Sequence, residues 1–310
     1  MERIFVEGND FVTESGEVMI FRGVNIADPD RLEKDGDWDK QIFIRARDWG
    51  ANIIRIPVHP GRFRERGAEK YMLLMDEAVS WAKELGLYLI IDWHSIGNLS
   101  DEMFQHPMYV TSMQETCDFW EMISLKYAKE PVVAMYELYN EPAVSGPRFG
   151  DLTWQEWKGM NEEIIDIIRV NNPGVVILVA GFNWAYDLRP VASEPIERSG
   201  IAYVSHPYPQ KRQQPWEEKW EDDWGFVSEK YPVILTEIGF ATPDEKGVHV
   251  PVSGDESYGN AIVDFCDKKG ISWVAWCFDP KWSPTMITDW NYTPSRQGVF
   301  FREAMTRLNN

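Results

Sequence analysis

The chain has 310 residues, 44% of them hydrophobic and 14% aromatic, and its 31 basic against 50 acidic side chains give a net charge of −19. A chain this apolar is no disordered acidic tail: from its mass, roughly 13,000 Å² of surface should stay exposed on folding out of about 52,000 Å². The acidic excess argues against a nucleic-acid or phosphate-binding surface, which needs clustered Lys and Arg, and disfavours polyanionic substrates.

Three cysteines (Cys117, Cys266 and Cys277) form neither a disulfide framework nor a Cys/His zinc spacing. No run of 18 apolar residues suggests a membrane span. The opening Met1-Glu-Arg-Ile-Phe-Val-Glu-Gly-Asn-Asp10 has no apolar signal core. The chain is therefore expected in the cytosol, or outside the cell as a form whose signal has been removed.

In chain order, Ile4–Thr13 reads as a β-hairpin around a Gly8-Asn9 turn. Short β-rich runs follow at 20–25, 52–58, 87–94, 132–140, 175–181, 201–206, 233–239 and 272–278. Helix-length amphipathic segments lie between them, among them 71–85, 111–128, 153–170 and 256–269. Thr153 followed by Glu156 is a capping box at the start of one. Strand cores such as Ile53-Ile-Arg-Ile56 and Val175-Val-Ile-Leu-Val179 are continuous rather than alternating, as in parallel strands buried on both faces. Eight β/α alternations without a long linker predict a single (β/α)8 TIM barrel over residues 1–310, with an N-terminal β-hairpin. A doubly wound open sheet is the rival, and its dinucleotide form lacks a GxGxxG after an early strand.

In such a barrel, chemistry sits at the C-terminal ends of the strands. Polar residues gather there: Arg55 and His59 on the second strand, Asp92-Trp93-His94 on the third, and Tyr136-Glu137-Leu-Tyr-Asn140-Glu141-Pro142 on the fourth. Ser205-His206-Pro-Tyr208 ends the sixth, Thr236-Glu237-Ile-Gly239 the seventh, and Trp276 lies in the eighth. Glu141 and Glu237 are distant in sequence but top strands that face one another across the barrel mouth. Glycoside hydrolysis needs such a pair, about 5–5.5 Å apart in retaining enzymes and about 6.5–9.5 Å apart in inverting ones. The barrel hydrolases that use a metal bring an H-x-H pair on one strand, and none is present.

The set Arg55, His94, Asn140-Glu141-Pro142, His206-Pro-Tyr208, Thr236-Glu237-Ile-Gly239 and Trp276, in that order, resembles glycoside hydrolase family 5, the large family of retaining β-glycanases. The hairpin and Phe21-Arg-Gly-Val-Asn25 resemble that family's opening. The resemblance implies that Glu141 is the general acid/base, its proton affinity raised by a negative Glu237, and that Glu237 is the nucleophile. Arg55 and Tyr208 would keep Glu237 ionised and aimed. Asn140 would bond the sugar 2-hydroxyl, His94 and His206 would bind hydroxyls or orient the glutamates, and Trp276 would be the stacking floor of the −1 subsite. The implied activity is retaining endo-β-1,4-glucanase action on a neutral plant polysaccharide, by a monomer without cofactor or metal. Endo-β-1,4-mannanase is the alternative, since mannanases share the same catalytic residues, and an exo-acting β-glucosidase is a further one. The glucan choice rests on the tail Met286-Ile-Thr-Asp-Trp290, which is similar to the last loop of the family's endoglucanases.

The other aromatic residues divide by position. Trp216, Trp220 and Trp224 are four apart and read as packing on one helix face; Trp81, Trp120 and Trp273 fall inside elements and read as core. Trp184, Trp282, Trp290 and Trp38 fall in loops after strands and are candidate sugar platforms. His59 is open between rim hydrogen bonding and sugar contact, and Cys266 and Cys277 read as core thiols.

Overall fold

The computed structural model describes residues 1–144 and 148–309. Eight parallel strands close into a barrel: β1 (Arg22–Asn25), β2 (Ile53–Val58), β3 (Tyr88–Trp93), β4 (Val133–Glu137), β5 (Val176–Ala180), β6 (Ile201–Val204), β7 (Val233–Ile238) and β8 (Ser272–Ala275). Each pairs with its sequence neighbours, and β8 pairs with β1. The exposed surface is 12329 Å², close to the expectation from mass.

The strands are apolar on both faces because each face packs. On β2, Ile53 belongs to the cluster inside the barrel, while Ile54, Ile56 and Val58 belong to the layer beneath the helices. β5 alternates in the same way, with Val176, Leu178 and Ala180 inside and Ile177 and Val179 outside. The N-terminal segments Ile4–Glu7 and Asp10–Thr13 pair antiparallel, and Val18–Met19 adds a third strand. Ile4 and Phe11 of this sheet join the inner cluster, Phe11 lying edge-on to Phe21 at 5.7 Å. The apolar floor of the barrel is thus sealed from below.

Most predicted helices are present: Ala68–Leu85, Met113–Lys126, Trp154–Asn171 and Glu256–Lys269, with Arg296–Leu308 following β8. The capping box is formed, Glu156 N–H donating to Thr153 Oγ1 at 3.2 Å and Thr153 N–H to Glu156 Oε2 at 2.9 Å. The β5–β6 connection departs from the repeat: among the described residues it carries only short turns, Phe182–Ala185 and Arg189–Ala192. Trp220 and Trp224 are fully buried, and Trp216 stacks parallel to Trp220 at 5.8 Å. No helix among the described residues is long and apolar enough to cross a membrane.

Two irregularities aim side chains into the barrel mouth. The β3–β4 register slips at Leu89/Ile90, so Ala134 and Met135 both join the inner cluster. The β7–β8 register slips between Leu235 and Ile238. Such slips turn consecutive residues to one side, and Thr236 and Glu237 both face the site as a result. At Gly239 a Cβ would lie 2.9 Å from Pro284 and 3.0 Å from the Trp276 carbonyl, so glycine lets the loop after β8 close against β7.

Candidate active site

Above the apolar inner cluster lies a fully buried polar layer: Asn25, Arg55, Asp92, Glu137, Thr236 and His206. Arg55, on β2, organises it. Its Nε and Nη2 meet the two carboxylate oxygens of Glu137 at 2.6 and 3.0 Å, and Nη1 meets Asn25 Oδ1 at 2.8 Å and Glu237 Oε1 at 3.1 Å. Nη2 also reaches Asn140 Oδ1 at 2.7 Å and Asp92 Oδ2 at 3.0 Å. An unpaired buried charge is prohibitively costly, so one guanidinium surrounded by three carboxyl groups explains how these strands tolerate acids at full burial. Burial pushes the Arg55 guanidinium down, but Asp92, Glu137 and Glu237 outweigh it and hold the net value above the ordinary one.

Glu237 also accepts from Tyr208 Oη at 2.8 Å. Its carboxyl is held above the usual range by burial and by Glu141, against the pull of His206, Arg55 and Tyr208. Glu141 follows β4 and is pinned by a small second sheet: Glu141–Pro142 pairs parallel with Ile96–Asn98, Glu141 N–H donating to the Ser95 carbonyl at 3.0 Å. Its carboxyl is pushed up to about 7. The cause corrects the expectation from sequence. Burial is the largest cause, while Lys211, Arg55 and His249 pull it down; the repulsion between the two glutamates shows on Glu237.

One oxygen of Glu141, one ring nitrogen of His206 and one oxygen of Glu237 lie within 4.8 Å of one another. His206 Nδ1 is 3.0 Å from Glu141 Oε1, and its Nε2 is 2.9 Å from Thr236 Oγ1. Burial holds this imidazole down at about 4, so it is neutral at ordinary pH. Asn140 spends its oxygen on Arg55, which leaves Nδ2 buried without a partner among the described residues, at the cleft wall. His94 Nδ1 pairs with Asp92 Oδ2 at 2.6 Å, and its ring lies parallel to Trp276 at 5.5 Å.

The cleft over these groups has a volume of about 830 Å³. His94, Asn140, Glu141, Tyr208, Glu237 and Trp276 line it, as do Trp184 and Trp282. Trp282 lies nearly parallel to Trp276 at 5.9 Å, with the Arg31 guanidinium 5.0 Å from its ring centre. Trp184 stands on an unusual turn: Asn183, Trp184 and Ala185 have φ of 57°, 55° and 56°. Each left-handed non-glycine residue costs on the order of 1 kcal/mol. The turn is held by Lys211 Nζ to the Asn183 carbonyl at 2.8 Å, His206 N–H to the Ala185 carbonyl at 3.0 Å, and Trp184 Nε1 to Gln105 Oε1 at 3.0 Å.

Three sequence-selected residues do not line the cleft. Arg55 and His206 sit beneath the two glutamates, fully buried and bonded to them. His59 is fully buried; it bonds Asp28 Oδ2 through Nδ1 at 3.0 Å and packs against His94 and Trp282, supporting the wall from behind. Two platform assignments are corrected. Trp38 packs on Trp81 and donates to Glu77, and Trp290 packs on Tyr292; neither borders the cleft. Glu137, Asp92 and Thr236 stand among the polar strand ends that the sequence shows but have no role assigned there, and Lys211 carries no sequence signal.

A (β/α)8 barrel with two glutamates at this spacing over the C-terminal strand ends has the architecture of a retaining glycosidase. The family model for cellulase (glycosyl hydrolase family 5) matches residues 12–282, and the chain belongs to that family. It is 26% identical over 283 residues to endoglucanase N of Pectobacterium atrosepticum, a match covering 90% of this chain and 58% of that protein. It is likewise 26% identical over 251 residues to endoglucanase A of Butyrivibrio fibrisolvens, covering 79% and 54%. The chain thus spans about half the length of the curated relatives it matches. Among solved structures, a β-glucanase from Saccharophagus degradans superposes with a TM-score of 0.98 at 49% identity, covering 100% of this chain and 94% of that one. The same β-glucanase in complex with cellotetraose matches with a TM-score of 0.98 at 48% identity.

Proposed function

We propose that this chain is a retaining endo-β-1,4-glucanase and that residues 1–310 form one catalytic domain. The observation that carries the reading is the spacing of Glu141 and Glu237, whose nearest oxygens lie within 4.8 Å. That is nearer the separation of about 5–5.5 Å found in retaining enzymes than the about 6.5–9.5 Å that admits a water in inverting ones.

In the first step a Glu237 oxygen attacks the anomeric carbon while the bond to the leaving sugar breaks. The Glu141 proton passes to the departing oxygen, giving a glycosyl ester on Glu237 and an ionised Glu141. In the second step Glu141 takes a proton from water, whose oxygen attacks the same carbon from the leaving-group side and releases Glu237. Arg55 and Tyr208 oppose the effect of burial on Glu237 and fix its oxygens. The free Asn140 Nδ2 suits a bond to the 2-hydroxyl that strengthens at the transition state. Trp276 supplies an apolar face for the reacting sugar, and Trp184 and Trp282 supply further faces along the cleft.

A β-1,4-glucan is favoured as substrate because the relatives are endoglucanases and the 49% identical structure is a β-glucanase whose complex holds cellotetraose. Initial rates on carboxymethylcellulose, barley glucan and galactomannan test this. Higher rates on the glucans are expected, and a strong preference for galactomannan would overturn the choice.

A further inference from the structure

Thr236 is fully buried one residue before Glu237, and its hydroxyl lies 2.9 Å from Glu137 Oε1 and 2.9 Å from His206 Nε2. A threonine hydroxyl has a single hydrogen to give. Glu137, gripped by two nitrogens of Arg55, is a carboxylate and can only accept. Were the hydrogen given to His206, two oxygens would face one another at 2.9 Å with nothing between them. The hydrogen therefore goes to Glu137, and Thr236 Oγ1 accepts from His206 Nε2–H. A neutral imidazole carries one ring hydrogen, so Nδ1 is left with a bare lone pair. Its hydrogen-bond partner there, Glu141 Oε1 at 3.0 Å, has to supply the hydrogen.

We propose that Thr236 is a positioning residue: by handing its hydrogen to Glu137 it locks His206 as the Nε2–H tautomer and makes Glu141 the donor of their hydrogen bond. The order Glu141→His206→Thr236→Glu137 is a one-way chain, anchored at its far end by Arg55. Loss of the Glu141 proton would set a negative oxygen against the Nδ1 lone pair. The ring cannot relieve this by moving its hydrogen to Nδ1 without breaking its bond to Thr236. The chain thus keeps the acid loaded before substrate binds, in addition to what burial does. This rests on Glu141 being the acid/base.

Other charges act on the same groups and stay in place when Thr236 is changed. Lys211, Arg55 and His249 favour an ionised Glu141, while Glu237 opposes it. Asp92, Tyr109 and Tyr208 also feel the Glu141 charge. On His206, Glu237 and Glu137 favour the charged ring, and Arg55 and Lys211 oppose it.

The test compares kcat/KM against pH on barley glucan for the wild type, Thr236→Val and Thr236→Ser, together with ¹⁵N NMR of the histidine ring nitrogens. The valine variant keeps the shape but frees the ring to turn its hydrogen toward Glu141. Its basic limb is expected to move down by about one pH unit, a tenfold weaker hold on the proton, and serine is expected to restore the wild-type limb. In the wild type at about pH 5.5, His206 is expected as the neutral Nε2–H tautomer. An unshifted basic limb in Thr236→Val, or a wild-type His206 protonated at Nδ1, would overturn the proposal. The NMR reading needs no turnover, so it decides the tautomer even if Thr236→Val fails to fold. A wild type inactive on every glucan would count against the proposed function and leave that reading standing.

Discussion

Arg55 grips Glu137 with two parallel contacts, Nε to Oε2 at 2.6 Å and Nη2 to Oε1 at 3.0 Å, and both side chains are fully buried. This fork sits under Glu141 and Glu237. From it Arg55 extends one nitrogen to Glu237 and another to Asn140, so that its orientation sets those of the Glu237 carboxyl and of the Asn140 amide.

Removing one partner of a buried pair costs about 3–5 kcal/mol when the other charge is left alone, but Asp92 and Glu237 still face Arg55 when Glu137 is changed. Glu137→Gln is expected to lower the unfolding free energy by less than that, about 1–3 kcal/mol, and kcat with it, because Arg55 is then held less firmly. Arg55→Lys is expected to be equally damaging, since a lysine cannot make the two-nitrogen fork. Chemical denaturation of the two variants checks both. Stability unchanged within about 0.5 kcal/mol in either would count against the role given to the fork.

The pH dependence follows from burial. Glu141 must carry its proton to act as the acid, and its carboxyl is pushed up to about 7. kcat/KM reports the free enzyme and is expected to fall as pH rises through about 7. Glu237 must be ionised and is held above its ordinary 4.5, so the acidic limb is expected above 4.5. Stability carries the same sign for Glu141. With a folded value of about 7 against 4.5 for the free side chain, its contribution is whole below 4.5 and is lost as pH rises through about 7. Activity that is flat from pH 6 to pH 9 would contradict the acid assignment.

Glu141→Gln removes the proton but keeps the shape. On β-1,4-glucan, where the leaving alkoxide needs protonation, the loss is expected to be about 10²–10⁴-fold. On a dinitrophenyl cellobioside, whose leaving group needs no proton, the first step should proceed and the ester should accumulate as an initial burst. Equal losses on both substrates, without a burst, would show that Glu141 is not the acid.

The strands were legible because a parallel barrel buries both faces, which writes continuous runs such as Val175–Val179 into the chain. Glu256–Lys269 was legible to the residue, since an Asp255 cap and a Gly270 terminator bracket it. Glu141 and Glu237 could be read as a pair because strand order alone places them across the mouth. What lay beneath them could not, because whether Arg55 meets Glu237, Glu137 or Asp92 depends on register slips that have no local signal. The loops were hardest. Trp38 and Trp184 both follow strands, yet one is taken up by Trp81 and Glu77 while the other is turned into the cleft by three left-handed residues that no glycine announces.

As the proposed nucleophile, Glu237 forms a covalent bond to the sugar during turnover. Incubation with a 2-deoxy-2-fluoro-cellobioside carrying a dinitrophenyl leaving group slows breakdown of the ester enough to trap it, and peptide mass spectrometry then locates the label. One fluorocellobiosyl group per chain is expected, on the peptide containing Glu237 and absent from Glu237→Ala. A label on Glu141, Glu137 or any other residue would contradict it.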